Sequence, residues 1–145
     1  MYMDEIKRKN RKDSSGGILN SRTVLLVEDD VAVRDMYSVG LRQEGYEVKT
    51  MENGVQALEW LDKNTPDIVL LDIMMPFMDG IETLTEIRKN PSLKDVPVVM
   101  LTNLSESQDV TRALASGAND YLIKTKFTPS ELAAKVNDLY WEFKK

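Results

Sequence analysis

The stretch "PDIVLLDIMMPFMDG", residues 66–80, decides how this chain folds. Four apolar residues, Ile68 to Leu71, run straight into a carboxylate, Asp72, and then into a loop that holds Pro76 and Gly80. A short, continuous, β-branched run of this kind reads as a strand buried on both faces of a parallel sheet. A negative charge at the end of a buried strand is costly unless something nearby compensates it. The remainder of the chain therefore has to supply partners for Asp72.

The same apolar pattern recurs in "TVLLV" (23–27) and "VPVVML" (96–101), with "DYLI" (120–123) as a shorter fifth strand. "YEVKTM" (46–51) alternates instead, with Glu47 and Lys49 on one face, which suits an edge strand. Helical patterns separate the strands. Val33, Met36, Tyr37, Gly40 and Leu41 follow helical spacing and stop at Gly45; Val55, Leu58 and Leu61 precede Pro66. Ile81, Leu84 and Ile87 end at "NP" (90–91), and Val110, Ala113 and Leu114 close at Gly117. Leu132, Val136, Leu139, Tyr140 and Phe143 form the last stripe, opened by "TPSE", where Thr128 caps, Pro129 fits the first turn and Glu131 completes a capping box.

Five strand–helix units in strict alternation predict an α/β fold with right-handed crossovers. The expected architecture is a flavodoxin-like, doubly wound five-stranded parallel sheet in the order 2-1-3-4-5, with five helices.

At 145 residues the chain suits one domain, placed at 23–145. Residues 1–22 carry six basic and three acidic side chains, among them "KRKNRK" before a Ser-Ser-Gly-Gly run, and read as a flexible basic N-terminal arm or linker. Residues 23–145 carry thirteen basic and twenty-one acidic side chains, so this acidic body is not expected to bind nucleic acid directly. With no cysteine and no histidine, thiolate and imidazole chemistry is excluded. The apolar runs are too short to span a membrane and no signal-peptide pattern is seen, so a cytoplasmic location is expected.

Ligands in open α/β sheets bind at the carboxyl ends of the strands. There the first strand ends in Glu28, Asp29 and Asp30, the third in Asp72, the fourth in Thr102 and Asn103, and the fifth in Lys124. Singly, each has an ordinary explanation as a solvated turn, a helix cap (Asp30) or a snorkelling lysine. Together they converge on one rim of one sheet. Two carboxylates about 4 Å apart repel by roughly 4 kcal/mol at an effective dielectric of 20, so Glu28, Asp29 and Asp72 call for a cation among them. With oxygen ligands only, that cation is hard: Mg2+, with Mn2+ as an alternative and Ca2+ less readily. Lys124 can neutralise phosphoryl oxygens and the Thr102 hydroxyl can donate to one. This set suits phosphoryl transfer onto a carboxylate, with Asp72 as the nucleophile.

"VLLVEDD", "DIVLLDIMMPFMDG", "VVMLTN" and "GANDYLIK" resemble, in order and spacing over nearly all of 23–143, the receiver domain of bacterial two-component response regulators. The resemblance implies a phosphoprotein of signal transduction or phosphorelay, a phosphoacceptor rather than an enzyme with a separate substrate. Asp72 would take the phosphoryl group from a sensor histidine kinase or a histidine phosphotransfer protein. Asp29 would bind the metal directly, Glu28 would assist, and the Met74 backbone carbonyl would be a third protein ligand. Lys124 would pair with the acyl phosphate. Thr102 would swing toward it and Tyr121 would follow inward, changing the surface of the fourth helix, fifth strand and fifth helix for a downstream protein target. A homodimer through that face is left open.

Two residues depart from the family pattern. Thr125 stands where receivers usually place a proline after the lysine, often through a cis bond. A non-proline cis bond costs about 2.5–4 kcal/mol, so the expectation is a trans loop, or a strained cis one. Asn103 replaces the small residue that commonly follows the threonine. Met74 and Leu104 are apolar where the family flanks the path of attacking water, which predicts slow autodephosphorylation. A Mg2+ phosphohydrolase on a similar sheet would want an acid where Met74 stands, and a nucleotide-binding domain would want glycines where "VEDDVA" has none. A phosphorylation-independent interaction module is the remaining alternative. The last strand–helix unit closes at Lys145, so the chain is expected to be either a single-domain regulator or part of something longer.

Overall fold

The computed structural model describes residues 22–103 and 107–144. The basic cluster of the N-terminal arm and Leu104 lie outside the described residues. Five parallel strands, β1 (Thr23–Val27), β2 (Glu47–Met51), β3 (Ile68–Asp72), β4 (Val98–Thr102) and β5 (Asp120–Ile123), form one sheet in the order β2-β1-β3-β4-β5. Between and after them lie α1 (Val31–Gln43), α2 (Gly54–Leu61), α3 (Gly80–Arg88), α4 (Ser107–Ala115) and α5 (Pro129–Phe143). The doubly wound 2-1-3-4-5 sheet read from the strand pattern is the observed fold, with the alternating strand β2 on an edge.

Pleating sends alternate strand residues to opposite layers. Val24, Leu26, Ile68, Leu70, Val99, Leu101 and Leu122 pack with Tyr37 and Leu41 of α1 and with Leu132, Val136 and Tyr140 of α5. Leu25, Val27, Val69, Leu71, Val98 and Met100 pack on the other side with Ala57 and Leu61 of α2, Ile81, Leu84 and Ile87 of α3, and Ala113 of α4. Burying the central strands on both faces is what their uninterrupted apolar sequences require.

The caps follow local chemistry. Asp30 accepts from the Val33 N–H at the start of α1, and Thr128 and Glu131 form the reciprocal capping box of α5. A second capping box joins Asp79 and Glu82 at α3. Three residues assigned to buried stripes by helical spacing, Met36, Val55 and Leu114, are exposed instead. In α1 and α2 small residues take the inward-facing positions: Gly40 lies against the Pro129 backbone of α5, Gly54 against Thr83 and Met78, and Ala57 is buried. These close approaches rotate the larger neighbours outward. β4 also starts two residues later than its apolar run, after Pro97, and ends on Thr102.

Gly80 ties the fold to the acidic rim. A Cβ there would meet the Asp72 carbonyl oxygen at 2.2 Å and the Ile73 Cα at 2.7 Å, both backbone atoms. The Gly80 N–H donates to the Ile73 carbonyl at 2.8 Å, so the first turn of α3 sits directly on the end of β3. Gly80→Ala must push these segments apart. It should lower stability by about 1–3 kcal/mol, read as a lower midpoint in urea with an unchanged slope.

Candidate functional site

Strand register assembles the site before any side chain is considered. Val27 of β1 lies opposite Leu71 of β3, so Glu28 and Asp72 are the next residues on adjacent strands. Thr102 of β4 lies opposite Ile123 of β5, and Lys124 follows it. β1 and β3 adjoin where the strand order reverses, the point at which open α/β sheets leave a crevice at their carboxyl ends.

Lys124 reaches across the end of β4 into this crevice. Its ammonium donates to Glu28 Oε1 in a very short contact and lies 3.2 Å from Asp72 Oδ2. All three groups are buried, Asp72 at 3% exposure and Lys124 at 8%. The other oxygens are also held. The Asp30 N–H donates to Glu28 Oε2 at 3.2 Å, and the Met74 N–H donates to Asp72 Oδ1 at 3.3 Å. Asp29 is exposed, yet its carboxylate joins those of Glu28 and Asp72 with ligand oxygens all within 4.8 Å of one another. An all-oxygen set with two buried members and one open to solvent fits a hard divalent cation that keeps several waters.

The electrostatics follow from this crowding. Burial pushes the Asp72 carboxyl upward, Lys124 pulls it back, and Glu28 pushes it up again, for a net rise from 3.8 to about 7. Burial alone would lower the Lys124 ammonium. The hydrogen bond to Glu28 and the charges of both carboxylates outweigh it, and the group is held above its ordinary value.

Thr102 and Tyr121 belong to the other layer. Tyr121 is paired with Met100 in register and packs against the layer built by α2, α3 and α4. Thr102, two residues beyond Met100, takes the same side by strand alternation and is buried. The pair is thus adjacent to the Glu28–Asp72–Lys124 cluster and on the opposite face of the sheet. Asn103 is exposed at the rim. The Lys124–Thr125 bond is trans, and Lys124–Lys126 forms a 3₁₀ turn, so Lys124 reaches both carboxylates without the usual proline.

Two contributors were not legible in the sequence. Arg34 of α1 donates to the Glu28 carbonyl at 2.8 Å and fixes the backbone of the acidic turn. Tyr37, one helical turn further, is buried, and burial raises its phenol pKa, with Lys124 opposing and Glu28 and Asp72 adding to the rise. Both sit on the sheet-facing side of the helix that follows the acids. That spacing (i, i+3) was the available signal, but it is also the ordinary signature of a packed helix.

A sequence profile of the response regulator receiver domain matches residues 24–137. The chain belongs to that family. The receiver is 41% identical over 113 residues to the DNA-binding response regulator MtrA of Mycobacterium tuberculosis, covering 78% of this chain and 48% of MtrA. It is 37% identical over 116 residues to the phosphate regulon transcriptional regulatory protein PhoB of Escherichia coli, covering 80% of this chain and 50% of PhoB. The chain therefore spans about half the length of the curated relatives it matches. Among solved structures, the chemotaxis response regulator CheY4 of Vibrio cholerae superposes with a TM-score of 0.77 at 32% identity, covering 82% of this chain and 98% of CheY4. The family is that of two-component signal transduction, in which phosphorylation is characteristic. No helix among the described residues is long and apolar enough to cross a membrane.

The raised Asp72 pKa has a definite sign for stability. A carboxyl held near 7 in the folded receiver and near 3.8 when unfolded contributes stability below about pH 4, and this is lost as pH rises through 7. In EDTA, Asp72→Asn should therefore melt above the wild type at pH 8, and the gap should shrink as pH is lowered toward 4. Thermal melts of the two proteins across that range check it.

Proposed function

We propose that this receiver is a Mg2+-dependent phosphoryl acceptor at Asp72, loaded by a phosphohistidine-bearing kinase or phosphotransfer protein. The observation that carries the reading is the buried Glu28–Asp72–Lys124 cluster with the Asp29 carboxylate beside it. In the transfer step an Asp72 carboxylate oxygen forms a bond to phosphorus, the phosphorus–nitrogen bond breaks, and the imidazole leaves with its electron pair.

Each residue has a role that its position supports. Asp29 and Asp72, with Glu28 assisting and the Met74 backbone carbonyl as a further protein ligand, would hold the cation. When bound, Mg2+ neutralises charge on the carboxylates and on the transferring phosphoryl oxygens. Lys124 exchanges its Asp72 contact for a phosphoryl oxygen and keeps the acyl phosphate paired. The Met74 N–H on Asp72 Oδ1 leaves the other oxygen aimed toward Lys124, which orients the nucleophile. Thr102 donates its hydroxyl to the phosphoryl group, and Tyr121 moves toward the space this opens.

The switch has a simple physical basis. Phosphorylation adds about −1.5 to −2 charges and three acceptor oxygens at one point. Thr102 lies at the end of the strand that separates Asp72 from Tyr121, so its displacement is felt by the α4 and β5 surface. A bias of a few kcal/mol between two states of that surface is enough for output to a protein partner. The DNA-binding named for MtrA belongs to a longer protein, and an equivalent output for this chain would rest on sequence beyond the receiver. Met74, exposed and apolar beside the acceptor, offers nothing to orient an attacking water, which favours a long-lived phosphoryl group.

Intact mass after incubation with acetyl phosphate tests the reading. One phosphoryl adduct is expected in Mg2+, none in EDTA, none in Asp72→Ala, and a strongly reduced yield in Lys124→Ala. The adduct should persist for hours once donor is removed. Catalytic release of phosphate without an adduct would favour a hydrolase instead.

A further inference from the structure

The loop between β3 and α3 holds a backbone outlier that phosphoryl chemistry does not explain. Phe77 has φ of +70°, the one positive φ outside glycine among the described residues. The Met78 N–H donates to the Pro76 carbonyl at 2.8 Å, two residues back, closing a γ-turn with Phe77 at its centre. A γ-turn with positive central φ is rare and strained, and for a bulky side chain the strain is at its worst. The ring gains nothing in return within the domain: Phe77 is 91% exposed. Glycine or asparagine would fill this position at lower cost. Strain and exposure held together beside a functional site point to use by a partner.

The turn is rigidly placed. Gly80 is locked under the end of β3, and Asp79 and Glu82 cap α3 reciprocally, so the loop leaves Asp72 and returns to the sheet within eight residues. Met74, whose N–H is bonded to Asp72, is 69% exposed on the same loop. Across the acceptor, the β1–α1 side of the rim exposes Asp29, Asp30 and Asp35. The recessed Asp72 thus opens between an apolar lip, Met74 and Phe77, and an acidic lip.

We infer that Phe77 is a specificity-determining contact for the protein that delivers the phosphoryl group, a donor whose histidine lies beside an apolar patch flanked by basic side chains. This rests on the phosphoacceptor reading of Asp72. The two-sided rim argues for that occupant. A small phosphodonor has no apolar surface to cover the ring, whereas a protein reaching a buried carboxylate must lie across the lips and match both. Exposed aromatic anchors of this kind carry a large share of binding energy once desolvated.

The test compares two donors on the whole chain. Acetyl phosphate in Mg2+ loads Asp72 directly; autophosphorylated cytoplasmic cores of the histidine kinases from the same source, charged with radiolabelled ATP, load it through docking. Phe77→Gly keeps the positive φ without strain and removes only the ring, and Phe77→Asn repeats this with a second side chain. Both variants should melt at or above the wild-type temperature and accept phosphate from acetyl phosphate at the wild-type rate. With the kinase core that transfers fastest to wild type, KM should rise about tenfold or more with kcat unchanged, and Phe77→Tyr should restore it. Equal KM for wild type and Phe77→Gly would overturn the inference while leaving the phosphoacceptor reading intact. Transfer from no kinase core to a wild type that acetyl phosphate loads would show the assigned occupant to be wrong. A wild type that acetyl phosphate cannot load would instead remove the reading on which the inference stands.

Discussion

One buried ammonium holds the rim of this sheet together. Lys124 lies between Glu28 and Asp72, out of water, and joins the last strand to the first and third. Burying these charges costs several kcal/mol per ion, which Coulomb attraction repays only in good geometry. Two carboxylates on one ammonium leave the cluster net negative, and the nearby Asp29 deepens the imbalance. A cluster arranged only for stability would be better replaced by apolar side chains. An unbalanced cluster of this kind fits the cation and the incoming anionic group proposed for the site.

The fold makes that cluster possible by geometry alone. Reversal of strand order between β1 and β3 sends α1 to one layer and α3 to the other, so both helices leave the crevice open above Asp72. Parallel register brings Glu28 and Asp72 level, while strand pleating sends Thr102 and Tyr121 toward the opposite layer. The Glu28–Asp72–Lys124 cluster and the Thr102–Tyr121 pair therefore occupy two faces of one sheet, adjoining at the end of β4.

Much of this was legible beforehand, for identifiable reasons. Buried parallel strands need uninterrupted apolar runs, and three of the five announced themselves that way; β2 betrayed its edge position by alternating. Glu28, Asp29, Asp72, Thr102 and Lys124 all fall at strand ends, so the rule that ligands bind there brought them together from spacing alone. The apolar stripes of the helices were read less well. Met36, Val55 and Leu114 are exposed because glycine and alanine, which carry little hydrophobic signal, occupy the tightest contacts. Arg34, and the place of Tyr37 beside the site rather than only in a core stripe, carry no separate sequence signal, because helical spacing does not distinguish a residue facing a site from one facing a core.

By itself, the sequence determined which segments pair into a parallel sheet, the order of strands, the helix caps and the chemical types gathered at one edge. These depend on local periodicity and on residue identity, which can be read without coordinates. Only the tertiary structure decided that Lys124 contacts Glu28 as well as Asp72, that the Lys124–Thr125 bond is trans, and that Thr102 and Tyr121 share a layer. Only it placed Phe77 at a strained turn in full view of solvent. Such features arise from register, side-chain reach and backbone dihedrals, where contributions from segments distant in sequence meet, and no single stretch of the chain encodes them.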